Sequence, residues 1–435
     1  MGTGATVNVV VLGLWHLGCV TAACCAEQFN VIGLDFDAEV VAQLKNGKAP
    51  LFEPGLDALI QHGLESGRLS FTTEKRDALQ NADILWICFD TPVDENDVAD
   101  VPFVLEKIEG SLPELRPGAI VLISSQMPAG TCAQLEKRYS DRKLSFACSP
   151  ENLRLGKSLE IFRNPDRIVA GVRDQSARDK LQRLFEPFAG GRILWMNPES
   201  AEMTKHATNA FLALSVTFAN ELANLCEAVT GADVREVEQG LRSESRIGPN
   251  AYIRPGSAFA GGTLARDVVT LSQIAEERGQ RAILIQAILR SNEGHKDWAV
   301  RRLETIFPAL DRTIIAVLGL TYKPGTDTLR RSSSVELCST LLRRGSAVHC
   351  FDPVVRALPT ELSAAKLLRN LPDALEQVDA IVIATAWPQI VEADWSQLIR
   401  GLKKQTVILD PNRLLNLPAE SLRSVRYFAV GTSML

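Results

Sequence analysis

Two stretches of the chain combine residue types and spacings that could do chemistry. The first is GLWHLGCVTAA at 13–23, directly after the apolar run VNVVVL. Two glycines five residues apart, between a strand pattern and a helix pattern, frame a dinucleotide-binding turn. Gly13 would permit the tight turn and Gly18 the close packing of helix on strand. Asp35 follows about 20 residues on, at the end of the next apolar run, where an acid bonds an adenosine ribose hydroxyl. An acid there favours NAD over NADP. The middle position of the fingerprint, where backbone normally approaches a pyrophosphate, is Trp15 rather than glycine. The residues therefore predict NAD binding with a departure at its centre; a doubly wound domain that has lost its cofactor is the other reading.

The second stretch is PGSAFAGGTLARD at 255–267. Glycine-rich segments of this kind bring backbone close to a ligand. Thr263 stands near its end, before Arg266 and Asp267, and the stretch contains no thiol. In AEMTKHATNAFLA at 201–213, Lys205 and Asn209 are four apart and so share one face of a helix. From the helix alone they read either as a working polar pair or as a solvated stripe.

The elements that must position these residues follow from periodicity. VNVVVLG, VIGLD, ADILWICFD and AIVLISS are short apolar runs bounded by turn residues, as buried parallel strands are. Amphipathic segments such as 39–44 and 102–108 lie between them, which predicts a doubly wound α/β domain. FRNPDRIVAGV and GRILWM extend it to about residue 197. Residues 200–231 contain no proline and repeat apolar positions at three- and four-residue steps, predicting one long helix. Helical segments resume at 267–277 and 281–306. From Arg312 onward, TIIAVLGL, AVHCFDP, DAIVIATAW and TVILDP are again buried-strand runs, separated by helices such as VELCSTLLRRG. The expected architecture is α/β: two Rossmann-like doubly wound domains joined by a central long helix and helical block. The expected domains are 1–199 for the cofactor, 200–308 for the helical block and dimerisation, and 309–435 for a second α/β unit. The two α/β domains share little sequence beyond a strand ending in Gly-Leu.

Bulk properties narrow the function classes. A chain of 435 residues is long for one core, and 46% hydrophobic with 23% charged residues is ordinary for a globular protein. A net charge of −5 argues against a nucleic-acid partner. With no apolar stretch of about 18 residues, neither a membrane span nor a signal peptide is expected. Nine scattered cysteines without CxxC pairs read as reduced thiols of a cytoplasmic protein. The five histidines are dispersed, and no metal site is expected.

A series of longer segments carries a resemblance. GLWHLGCVTAACCAE, VIGLDFD, GKAPLFEPGL, FDTPVDE (89–95), QMPAGT (126–131), SPENLRLG (149–156), NPDRIVAG (164–171), AEMTKHATNAFLA, NELANLCE (220–227), GLTYKPGTDTLRRSS (319–333) and ATAWP (384–388) occur in this order. Together they resemble the UDP-glucose/GDP-mannose dehydrogenase family over nearly the whole chain. The resemblance implies NAD-dependent oxidation of a nucleotide sugar, most naturally a UDP-sugar, from C6 alcohol to carboxylate, with two NAD per turnover. It also implies a homodimer through the central helix and a place in polysaccharide biosynthesis.

Residue by residue, the resemblance implies cofactor contacts at Gly13, Trp15, His16, Leu17, Gly18, Asp35, Thr91, Thr131 and Arg330. It implies substrate contacts at Glu151, Leu153, Arg154, Lys205, Asn209, Arg246, Tyr252, Gly256, Phe259, Gly261, Tyr322, Lys323 and Arg413. Lys205, Asn209 and Asp267 would assist proton removal in the first oxidation, and Glu151 matches the acid of thioester hydrolysis. The family form PGxGFGGSCxPKD places a cysteine nucleophile where this chain has Thr263. An alcohol is a weak nucleophile without an adjacent base, so the first oxidation is expected and the thioester step is not. Cys132 and Cys148 are the candidates for a relocated thiol. The competing reading is a catalytically silent relative that binds nucleotide sugars as a regulatory or partner subunit.

Overall fold

The structure, a computed structural model, describes residues 7–94, 98–151, 153–260, 262–403 and 405–432. The chain divides into two compact units, one up to Thr208 and one from Asn209. The division falls inside a single helix, Pro198–Ala228.

The first unit is built on eight strands: β1 (Asn8–Leu12), β2 (Asn30–Leu34), β3 (Leu69–Thr72), β4 (Ile84–Ile87), β5 (Ile120–Ile123), β6 (Ser145–Cys148), β7 (Ile168–Gly171) and β8 (Ile193–Met196). Their order is β3-β2-β1-β4-β5-β6-β7-β8. All neighbours pair in parallel except β6 and β7, which meet antiparallel at Cys148 and Gly171. Central strands such as β4 and β5 are buried along their whole length, which is why they read as unbroken apolar runs rather than alternating ones. Helix α1 (His16–Cys25) lies against this sheet with nine of its ten residues buried. Its small residues allow that depth. A short helix, α2 (Thr131–Arg138), follows β5.

The long helix expected at 200–231 is α3, Pro198–Ala228. The second unit continues with α4 (Gly262–Glu277), α5 (Ile283–Lys296) and a six-stranded sheet. Its strands are β9 (Ile314–Leu318), β10 (Ala347–Phe351), β11 (Lys366–Leu367), β12 (Ala380–Ile383), β13 (Val407–Leu409) and β14 (Arg426–Phe428), ordered β11-β10-β9-β12-β13-β14 and all parallel. Helix α6 (Ser333–Arg343) packs on β10. The second α/β unit expected from Arg312 onward is therefore present.

One expected boundary moves. Helix α4 starts at Gly262, five residues before the expected 267, so Thr263 lies in a helical first turn rather than in a loop. The run Thr-Leu-Ala-Arg is compatible with helix, and the glycines before it obscured the start.

Candidate functional site

The turn after β1 is built for close approach. Gly13 has φ +95°, and a Cβ there would lie 2.8 Å from the Phe89 ring. At Gly18 a Cβ would lie 1.8 Å from the Gly13 carbonyl oxygen, so helix and turn touch through bare backbone. Asp35 accepts from the backbone N–H of Leu14 at 2.6 Å and of Asp37 at 3.0 Å, and stays half-buried at the end of β2. Trp15 makes no side-chain cap to α1 and is 46% exposed. The glycine cradle, the acid and the uncapped start of α1 fit an NAD dinucleotide. The ring nitrogen Nε2 of His16 lies 2.9 Å from Glu53 and 3.2 Å from Ser158 Oγ. Buried Glu53 also accepts from the N–H groups of Gly156 and Ser158, which ties α1 to the segment after Glu151. Leu17, Glu151 and Leu153 line one cavity of about 90 Å³, walled further by Trp86, Phe162 and Phe185.

The ends of β4, β5 and β6 carry the next group. Thr91 and Thr131 are buried and donate to the Gln126 and Pro128 carbonyls, so both hydroxyls shape the β5 turn. Glu202, which sequence reasoning missed, accepts from the N–H groups of Gly130 and Cys132 and so caps α2. Burial pushes its carboxyl up despite these bonds. One turn along α3, Lys205 donates from Nζ to the Glu151 carbonyl at 2.6 Å and lies 3.8 Å from Glu151 Oε1. The Glu151 carboxylate accepts the Leu153 N–H. Arg154 is exposed.

In the second unit, Asn209 donates through Nδ2 to Asp267, and both are buried. Asp267 sits one turn beyond Thr263 on α4, and Thr263 is exposed. The segment before α4 is clamped by four side chains that no motif or periodicity singles out. Asn220 accepts the Gly256 N–H at 2.9 Å, and Asn412 accepts the Ser257 N–H at 2.8 Å. Asn292 grips Phe259 by both its N–H and its carbonyl, each at 2.9 Å. His295 donates from Nε2 to the Gly256 carbonyl at 2.8 Å, and burial pushes its pKa down. A Cβ at Gly256 would lie 2.2 Å from Asn412 Oδ1, so this glycine is required by its clamp.

Other expected site residues fare unevenly. Tyr322 and Lys323 lie together, the ammonium 5.4 Å from the ring centre, and Arg330 is exposed on the same long connection. Arg246 and Tyr252 are exposed, the former paired with Glu244. Gly261 lies outside the described residues. Arg413 donates from both terminal nitrogens to Asp233, at 3.0 and 2.6 Å, which orients its guanidinium and leaves three of its five N–H groups outside that pair. All nine cysteines are buried and unpaired, and burial pushes Cys132 and Cys148 well above the usual thiol range. Neither can stand in as a thiolate. Among the described residues no His, Cys, Asp or Glu cluster could hold a metal, and no helix is long and apolar enough to cross a membrane.

Comparison with known proteins identifies the family. Residues 7–189, 199–294 and 316–416 match the NAD binding, central and UDP binding domains of the UDP-glucose/GDP-mannose dehydrogenase family. The chain is 35% identical over 427 residues to a UDP-glucose 6-dehydrogenase of Pseudomonas aeruginosa, covering 94% of this chain and 93% of the relative. It is 32% identical to the UDP-glucose 6-dehydrogenase TuaD of Bacillus subtilis, covering 98% and 93%. Among solved structures, a UDP-glucose dehydrogenase from Pyrobaculum islandicum superposes with a TM-score of 0.84 at 31% identity, covering both chains fully. A UDP-D-ManNAc dehydrogenase from Pyrococcus horikoshii gives 0.85 at 25% identity, covering 98% of this chain and 100% of that one.

Proposed function

The chain belongs to the UDP-glucose/GDP-mannose dehydrogenase family and is an NAD-dependent nucleotide-sugar dehydrogenase, and we propose that it oxidises a UDP-sugar at the C6 alcohol. NAD, held by Gly13, Gly18 and Asp35, supplies the hydride acceptor when bound. The observation that carries the reading is a pair of organised polar couples, Lys205 with Glu151 and Asn209 with Asp267. Lys205 and Asn209 hold the C6 oxygen by donated hydrogen bonds, and Asp267, oriented by Asn209, accepts the alcohol proton. The clamp of Asn220, Asn292, His295 and Asn412 fixes the backbone of 256–259 against the sugar. At Thr263 an oxygen nucleophile replaces the thiol, which closes the thioester route at that position.

A second copy of the chain is the proposed partner. Phe211, Phe218 and Leu225 are exposed at seven-residue intervals on α3, the spacing of an apolar helix seam.

The test is NADH release from UDP-sugars, with UDP-glucose first because the curated relatives named above act on it. Lys205→Ala and Asp267→Asn are expected to lower kcat about a hundredfold or more while NAD affinity holds. No NADH from any UDP-sugar, with no NAD binding, would leave the silent-relative reading standing instead.

A further inference from the structure

Lys205 and Glu151 also border a small cavity of about 20 Å³ in the first unit, room for a single water. Ser125, just past the end of β5, lines it. Ser125 is 5% exposed, and its Oγ has no hydrogen-bond partner among the described residues. Its neighbour Ser124 is the opposite case: it accepts from Trp86 Nε1 at 2.8 Å and donates to the Ser149 carbonyl. A buried hydroxyl without a partner is costly, and such groups in folded proteins usually serve water or function.

The remaining polar groups around the cavity divide into two kinds. Glu202 is committed to the start of α2, and His206 donates to the Met127 carbonyl at 3.0 Å. Lys205 has three N–H groups and gives one to the Glu151 carbonyl, and the Glu151 carboxylate stands beside it. A cation that donates, a carboxylate that accepts and a hydroxyl that does either therefore converge on one water-sized space.

We infer that this cavity holds the water that adds to the C6 aldehyde, so that the second oxidation runs through an aldehyde hydrate and not through an acyl-enzyme. The inference rests on the C6 reading above. The water oxygen bonds to C6 while its proton passes to the Glu151 carboxylate. The carbonyl oxygen takes a proton from the Lys205 ammonium, giving the geminal diol. Proton return from Glu151 to Lys205 resets the pair. The diol then gives its C6 hydrogen as hydride to a second NAD, and one hydroxyl proton leaves by way of Glu151, so that a carboxylic acid remains. Thr263 forms no bond. Ser125 holds the water in line and is a positioning residue.

The full chain would be given UDP-glucose and excess NAD, with the aldehyde captured by hydroxylamine. Wild type is expected to yield about two NADH per sugar, one for each hydride transferred. Ser125→Ala should fall to about one, with the second oxidation slowed about a hundredfold and captured aldehyde accumulating. Its Tm should not drop, because the lost hydroxyl bonds no protein group, and Ser125→Thr should recover the second step. Independently of turnover, a high-resolution crystal structure should place a water on Ser125 Oγ within reach of Lys205 and Glu151, absent in Ser125→Ala. A wild type that stops at one NADH per sugar overturns the inference and leaves the C6 reading intact. Mass spectrometry showing a sugar acyl group on Thr263, or a Ser125→Ala variant that keeps two NADH, overturns it as well. No NADH from any UDP-sugar removes both.

Discussion

Strand β1 runs into Gly13-Leu14 and strand β9 into Gly319-Leu320, and the two glycines share a backbone conformation, φ +95° and +92°. Each donates its N–H to the last residue of the next strand, Gly13 to Leu34 and Gly319 to Phe351. Neither has room for a Cβ, which would meet Phe89 in one case and Thr385 in the other. Each following leucine donates its N–H to an aspartate just past that next strand: Leu14 to Asp35 at 2.6 Å, Leu320 to Asp352 at 2.7 Å. The strand orders around them, β3-β2-β1-β4-β5 and β11-β10-β9-β12-β13, correspond one for one.

The two turns then part. Residues 13–15 suffice to reach α1, whereas 319–332 separate β9 from α6. Asp35 stays partly exposed, while Asp352, 3% exposed, also accepts from Thr321, Trp387 Nε1, Val354 and Val355. Ser332 caps α6 through the Ser334 N–H, and Trp15 leaves α1 without a side-chain cap. On the NAD-binding residues proposed above, the same frame serves a dinucleotide only where its acid and its helix start remain available. In the second unit both are committed to the fold.

Exchanging one atom at each acid tells the two turns apart. Asp352→Asn turns an acceptor-only carboxylate into a group that presents N–H to N–H. It should cost about 3 kcal/mol, read as a lower urea midpoint, with NAD affinity unchanged. Asp35→Asn should do the reverse: NAD affinity falls about tenfold to a hundredfold, read by calorimetry, with a smaller drop in the midpoint than Asp352→Asn because the Asp37 N–H it would face is exposed to water. Equal effects of the two substitutions on NAD binding would abolish the distinction.

The correspondence was only faintly legible in the sequence, where Gly-Leu after an apolar run was its one shared trace. The frame lives in backbone conformation and strand order, and most side chains can serve it. The strands themselves were legible because parallel pairing buries both faces and leaves apolar runs such as IVLI and AIVI. Short β3, β6, β11 and β14 carry too few apolar residues to stand out. Asp35 could be found because its distance from Gly13 is set by one βαβ step. The Asn412 clamp on Ser257 could not, since it joins residues 155 apart and leaves no periodicity behind. Glu202 was hidden differently: on α3 it reads as one more polar residue until the N–H groups of Gly130 and Cys132 are seen to converge on it.

Trp15 sets the first turn apart from the second in another way. It occupies the one position where the first turn departs from the glycine pattern, and its ring is exposed rather than packed. Trp15→Gly should therefore leave Tm nearly unchanged, since glycine is tolerated before a helix. NAD affinity should rise about tenfold as backbone and pyrophosphate approach without the intervening indole. An unchanged or weaker affinity would mean that the indole itself contributes to holding the cofactor.

Acid separates the two helix starts as well. The start of α1 is held through His16 by Glu53, whereas the start of α6 is held by Ser332, which does not titrate. Burial alone would raise the Glu53 carboxyl. The Gly156 N–H, His16 and the Ser158 N–H outweigh it and hold the pKa below the ordinary glutamate value. A group depressed in the folded state stabilises the fold above its unfolded pKa, and that contribution is lost as pH falls through the folded value. Lowering the pH from about 6 to about 4 and below should therefore loosen the first unit at α1 before the turn after β9 responds. Hydrogen exchange at Leu17–Val20 against Val335–Cys338 would read the difference. Glu53→Gln should lower Tm at neutral pH and flatten its acid dependence, because the amide keeps its shape but cannot lose a charge. If the acid response of α1 persists in Glu53→Gln, the titrating group lies elsewhere and the two helix starts differ only in geometry.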